Sequence, residues 1–178
     1  MASEIRIVTL TVSDTRTEET DESGKILAER LQAAGFSVFE HRIVPDEPEE
    51  VAMVVRGFAA TKGVHAVILT GGTGITARDN TYEALEALFD KRLDGFGEAF
   101  RRLSWDAIGP RAILSRATAG VVDKVLVFSL PGSTNAVRLA VDAILAETLE
   151  HAVGLVSGKA VHHHHASQSG PGSAKGAE

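Results

Sequence analysis

The sequence predicts a three-layer α/β/α fold, a mostly parallel sheet with helices on both faces, and three observations carry that expectation. Segments of strand and helix character alternate from residue 5 to residue 156. The run Ala66-Val67-Ile68-Leu69 is apolar without a break, as befits a strand buried on both sides. Polar or glycine-rich loops follow the strand-like segments at 13–15, 71–79 and 131–133. Alternation of this kind gives parallel strands joined by right-handed crossovers. Such sheets bind ligands beyond the carboxyl ends of their strands.

Each element has its own signal. Residues 5–12 alternate and are rich in β-branched side chains, which makes a strand ending at Ser13-Asp14-Thr15. Ser23 is placed to cap a helix over about 24–34, with Ile26, Leu27, Arg30 and Leu31 at helical spacing and Gly35 as its stop. Residues 36–44 alternate as a second strand. Pro48 suits the first turn of a helix that carries Val51, Val54, Val55 and Phe58 on one side. A short third strand, 65–70, leads into Gly71-Gly72-Thr73-Gly74 and a helix over about 81–88. Another helix is expected across 97–107, where Phe96, Phe100 and Trp105 suit a face packed on the core or on a neighbouring subunit. The last strand, 124–130, meets the turn Pro131-Gly132-Ser133 and a helix with Val137, Val141, Ile144, Leu145 and Thr148 in register.

Composition narrows the function. A chain of 178 residues fits one domain, read here as 1–158, large enough to bury a core without staples. Cysteine is absent, which removes zinc-finger, thiol-nucleophile and disulfide chemistry. The formal charge of -6 speaks against a nucleic-acid binder, which needs concentrated Lys and Arg. No apolar stretch is long enough to span a bilayer, and the first residues lack a secretory pattern, so the expected location is the cytoplasm. Residues 159–178 are His, Ser, Gly, Ala and Lys-rich with no apolar period, and read as a disordered tail. His162 to His165 on such a tail lack a preorganised ligand geometry. His41, His65 and His151 are isolated and read as structural.

The glycine turn carries the chemistry. Thr70 to Asp79 follows a buried strand and opens a helix, so its N–H groups can converge on an anion at the positive helix end. Glycines allow close backbone approach, and Thr73 and Thr76 add hydroxyl donors. No Gly-Lys-Ser/Thr ends the turn, and Ala77 breaks the dinucleotide fingerprint. A plain tight turn, with Asn80 and Glu83 forming something like a capping box, is the alternative.

The longer strings Thr70 to Asn80, Glu83-Ala84-Leu85, Gly95-Phe96-Gly97-Glu98, Ser115 to Gly120 and Ser129 to Ser133 resemble the family of molybdenum cofactor biosynthesis protein B and molybdopterin adenylyltransferase. The resemblance covers nearly all of residues 5–156. It implies transfer of AMP from ATP to the phosphate of molybdopterin, with Mg²⁺ and a trimeric or hexameric assembly, and docking with other enzymes of the same pathway. Two family aspartates fall on Asp46, in a Pro-Asp step, and Asp79, in an Arg-Asp step, as catalytic and Mg²⁺-organising groups. Read from spacing alone, Asp46 could instead cap the helix after it and Asp79 could complement a helix end. The same resemblance makes Thr70, Gly71, Gly72, Thr73, Gly74 and Thr76 the phosphate seat. It places Ser13, Ser115, Pro131, Gly132 and Ser133 on the pterin or nucleotide pocket, with Arg78 neutralising charge. The Pro-Gly-Ser-Thr turn resembles the protein B branch rather than the Pro-Gly-Asn-Pro of the adenylyltransferase branch. That departure keeps a molybdopterin carrier open as a second reading and an assembly module as a third.

Overall fold

The computed structural model describes residues 4–158. The tail read at 159–178, with its histidines, lies outside the described residues. Strands β1 (Arg6–Val12), β2 (Ser37–Val44), β3 (Ala66–Thr70), β4 (Lys91–Arg92), β5 (Thr118–Val122) and β6 (Val125–Leu130) form one sheet in the order β2-β1-β3-β6-β5-β4. The four strands foreseen from the sequence are the parallel ones. Strands β5 and β4 extend the sheet at one edge, β5 antiparallel to β6 and β4 antiparallel to β5.

Those two were missed for a physical reason. Strands β5 and β6 are joined through Asp123 and Lys124, which both take positive φ, 47° and 69°. Two such residues make the hairpin turn whose twist matches its strands, yet neither is the glycine that normally announces it. Asp90 secures the turn by accepting the Asp123 N–H at 2.9 Å.

Helices α1 (Glu22–Ala33), α2 (Pro48–Ala59), α3 (Thr81–Glu86), α4 (Asp94–Ile108), α5 (Thr134–Ala140) and α6 (Ala146–Val156) cover both faces, and a π-helical segment, Val141–Leu145, joins the last two. Strand alternation sorts the core into two halves. Ile7, Ile68, Leu126 and Phe128 pack with α1, α4, α5 and the π segment. Val8, Leu10, Val67, Leu69 and Val127 pack with α2 and α3 on the other face. Phe96 and Phe100 belong to the first half: Phe96 lies edge-on to Phe128 with centroids 5.2 Å apart, and both rings are buried. Only Trp105 of that trio is exposed, as are Ile108, Ile113 and Leu114, so of the three only Trp105 is available for a subunit contact. Among the described residues, no helix is long and apolar enough to cross a membrane.

One cap differs from expectation. Asp21, not Ser23, caps α1 by accepting the Gly24 N–H at 2.9 Å. Its carboxylate also takes the Thr11 hydroxyl at 2.6 Å and bonds His41 Nε2 at 2.9 Å, satisfying a buried acid with three partners. Ser23 is thereby free to donate its hydroxyl to the Gly132 carbonyl at 2.6 Å.

Candidate functional site at the strand ends

From β1 the chain moves to one side for β2 and returns to the other side for β3. A crevice opens at such a reversal, beyond the carboxyl ends of the two diverging strands. The loops that meet there are 13–15 after β1, 45–47 after β2, 71–80 after β3 and 131–133 after β6.

Gly71 and Gly72 turn the chain with φ of 105° and 63°, a region that side chains rarely enter. A Cβ on Gly71 would run into the Val12 carbonyl, and one on Gly72 into the Thr81 hydroxyl and the Asp46 carboxylate. The turn is fastened by the Gly71 N–H to Leu130 O at 3.0 Å and the Thr81 N–H to Gly72 O at 3.2 Å. Thr73 is buried, while Thr70 donates its hydroxyl to Pro131 O at 3.1 Å.

The two acids lie against opposite parts of this turn. Asp46 is buried. Its Oδ1 accepts the Asn80 N–H at 3.4 Å and the Thr81 hydroxyl at 3.5 Å, so it serves the start of α3 rather than its own helix. The cap of α2 is Glu47, which makes no side-chain bond there. Asp79 Oδ2 accepts the Thr76 N–H at 2.9 Å and the Thr76 hydroxyl at 2.5 Å. The capping box imagined from Asn80 and Glu83 does not form: Asn80 makes no side-chain cap bond, and Glu83 pairs with Arg116.

Their environments push the two carboxyls apart. Burial raises the Asp46 pKa, the Asn80 amide opposes it, and the charges of Asp79 and Asp14 add to the rise. The Thr76 hydroxyl and the Thr76 and Gly74 amides lower that of Asp79 against a smaller desolvation effect, with Arg116 helping. An acid whose folded pKa is raised withdraws stability as pH climbs from its unfolded value through its folded one. We therefore expect Asp46→Asn to raise the melting temperature at neutral pH, with the gain vanishing below about pH 4, where both states hold the proton. Melting curves of both proteins from pH 3 to 8 check this; a lower melting temperature for Asp46→Asn at pH 7 would contradict it.

Two arginines organise the rim. Arg78 does not point at an open anion seat. Its guanidinium grips Asp14 through Nε at 2.7 Å and Nη2 at 3.0 Å, and Glu47 through Nη2 at 2.8 Å, which joins the loops after β1, β2 and β3. Asp14 in turn accepts the Asp46 N–H at 3.0 Å. Arg116, from the loop before β5, donates to Gly74 O at 2.8 Å and Asp79 O at 2.7 Å and pairs with Glu83. The sequence reading passed over Arg116, Asp14 and Glu47 as site residues. Their only signal was Arg116 and Asp14 standing beside Ser115 and Ser13, because partners so distant in the chain leave no local pattern.

The remaining predicted residues line two cavities that share the 131–133 turn. A polar one of about 100 Å³ is bordered by Ser13, Thr70, Gly71 and Gly132, with Asp21 and Ser23. A larger one of about 430 Å³ is bordered by Ser115, Pro131 and Ser133, with Phe100, Ile108 and Leu139. Asp46 and Asp79 line neither, and sit on the glycine turn beside the small one.

Comparison with known proteins identifies the family. The family model described as a probable molybdopterin binding domain matches residues 8–151. Molybdenum cofactor biosynthesis protein B of Halalkalibacterium halodurans is 48% identical over 148 residues, covering 83% of this chain and 87% of the relative. A crystal structure of molybdenum cofactor biosynthesis protein B superposes with a TM-score of 0.85 at 44% identity, covering 88% of this chain and 98% of the other. The tungsten cofactor synthesizing protein of Pyrococcus furiosus gives a TM-score of 0.72 at 39% identity, covering 85% and 98%. With a six-stranded α/β fold, a family model matched over residues 8–151 and a relative 48% identical over 83% of the chain, this chain belongs to the molybdopterin-binding domain family of molybdenum cofactor biosynthesis.

Proposed function

We propose that the chain transfers AMP from ATP to the terminal phosphate of molybdopterin and releases pyrophosphate. What carries this reading is the placement of two carboxylates, Asp46 and Asp79, against one glycine turn at the reversal of the sheet. A phosphate monoester has its second pKa near about 6, so molybdopterin is already an anionic nucleophile at neutral pH. One of its phosphate oxygens bonds to the α-phosphorus of ATP as the bond to the β-phosphate oxygen breaks, and the electron pair leaves with pyrophosphate. No strong base is needed, so the work left to the protein is alignment of two polyanions and stabilisation of charge.

The donor set suits Mg²⁺. Among the described residues no group of three or more His, Cys, Asp or Glu gathers as a metal site, yet Mg²⁺ commonly rests on one or two carboxylates and completes its shell with phosphate oxygens and water. Asp46, held by only two long bonds, and Asp79 would hold it, and when bound it supplies neutralisation of phosphate charge. Amides of Gly72 and Thr73 receive phosphate oxygens, the Gly74 amide and the Thr76 hydroxyl being turned to the Asp79 carboxylate. Ser13, Thr70, Gly71 and Gly132 border one subsite, and Ser115, Pro131 and Ser133 the other, which has an apolar wall suited to a flat ring. Arg78 acts on the site through Asp14 and Glu47 instead of touching substrate.

The test mixes purified protein with molybdopterin, ATP and Mg²⁺ and follows adenylylated molybdopterin and pyrophosphate. Equal amounts of both products are expected. The turn Pro131-Gly132-Ser133-Thr134 supports a second reading, a molybdopterin carrier with little chemistry, for which tight binding without either product is the signature. We further place the protein in the cytoplasm as a homotrimer or homohexamer, with the exposed Trp105, Ile108, Ile113 and Leu114 as the surface that association would cover; it could also receive or hand on molybdopterin from other enzymes of the pathway.

A further inference from the structure

Arg116 is the residue through which the glycine turn is gripped from behind. Its backbone N–H donates to Thr73 O at 3.4 Å. Its side chain donates from Nε to Gly74 O at 2.8 Å and from Nη2 to Asp79 O at 2.7 Å. The guanidinium is fixed from outside by the Glu83 carboxylate and lies over the Tyr82 ring, 5.2 Å from its centroid. A planar fork with several donors can bridge carbonyls in this way, whereas a lysine ammonium cannot hold the same spread.

Peptide planarity turns that grip into orientation. In a trans peptide the C=O of one residue and the N–H of the next point in opposite directions. The Arg116 backbone N–H, by holding the Thr73 carbonyl, directs the Gly74 N–H away from Arg116 and towards the Asp79 carboxylate, whose pKa that amide helps to lower. Holding the Asp79 carbonyl drives the Asn80 N–H the other way, where it meets Asp46 Oδ1 at 3.4 Å. Holding the Gly74 carbonyl turns the Ile75 N–H to the same outer side. Two of the three gripped peptides thus end on the two acids of the site.

We propose that Arg116 is a positioning residue that sets Asp46 and Asp79 together, fixing the peptide plane at 73–74 through its backbone N–H and those at 74–75 and 79–80 through its guanidinium, and touches no substrate itself. The inference rests on the proposed reading of the site for its catalytic consequence, but the peptide orientation can be tested without it. The variants are Arg116→Gln and Arg116→Lys, each checked first for an unchanged circular-dichroism spectrum. In amide hydrogen exchange, Asn80 is expected to lose protection in Arg116→Gln, while Gly74, whose peptide plane is still held by the backbone N–H of residue 116, and amides of β1 and β3 keep theirs. Binding of Mn²⁺, used alone as a paramagnetic probe of the carboxylates, is expected to weaken about tenfold, and AMP transfer to fall roughly 30- to 100-fold in kcat, the scale set by an ångström of misplacement. KM for ATP is expected to change less than about threefold, and added guanidinium ion to restore part of the loss in Arg116→Gln. Arg116→Lys is expected to fall nearer to Arg116→Gln than to the parent, because charge alone does not fix the planes.

Unchanged protection at Asn80 in a folded Arg116→Gln overturns the proposal. So does full activity in Arg116→Lys, which would make the role one of charge. If the parent protein neither binds Mn²⁺ nor transfers AMP, the adenylyl-transfer reading fails, and the exchange at Asn80 still decides for or against Arg116.

Discussion

Asp79→Asn is expected to reduce AMP transfer by roughly 100-fold or more, the scale of losing one charged group that acts at the reacting phosphates. Molybdopterin binding should stay within about threefold of the parent, since the exchange is isosteric and leaves the glycine turn to bind the ligand. Asparagine keeps one oxygen for the Thr76 N–H and hydroxyl, which now meet Asp79 Oδ2 at 2.9 and 2.5 Å. What it loses is the charge, and with it the means to hold Mg²⁺ near the phosphates. The measurement is single-turnover transfer at saturating ATP and Mg²⁺ beside an equilibrium titration with molybdopterin. Comparable rates for variant and parent would end the assignment of Asp79.

Gly71→Ala should produce the largest loss of stability at the site. The new methyl would meet the Val12 carbonyl, a backbone atom that cannot swing aside, at a φ of 105°. Backbone strain and overpacking each cost about 1–3 kcal/mol, so a total near 4 kcal/mol, or a melting point lower by roughly 10 °C, is expected for a domain of this size. Gly35→Ala is the control. Gly35 has φ of 91° with nothing within 4 Å of the added Cβ, so it carries the strain alone and should lose no more than about 1–3 kcal/mol. Equal losses in the two variants would show that the approach to Val12 is softer than its geometry implies.

The parallel half of the fold was legible because its signals are local. Ala66-Val67-Ile68-Leu69 declares a doubly covered strand, and Pro48 with Val51, Val55 and Phe58 declares an amphipathic helix, without reference to anything distant. The antiparallel edge was not legible, since β4 is two residues long and the hairpin at Asp123-Lys124 lacks glycine. The glycine turn announced itself as a unit, and resemblance rather than spacing singled out Asp46 and Asp79. From spacing Asp46 looked like a cap for the helix that follows it. It bonds the amide of Asn80, the residue that precedes a helix from another part of the chain, across a sequence separation of 34 residues. Arg78 had the right charge for a phosphate contact, but Asp14 and Glu47, 64 and 31 residues away, claim its guanidinium. Pairings over such separations depend on the sheet order, which no short window contains.

The bond from Arg78 to Asp14 and Glu47 ties three loops together at places where all three side chains meet solvent, with relative exposures of 54%, 35% and 46%. Charges so placed feel one another over about 8 Å in physiological salt and over about 3 Å in molar salt. Molar sulfate is therefore expected to loosen this latch at the mouth of the crevice while the apolar layers beneath the sheet hold more tightly.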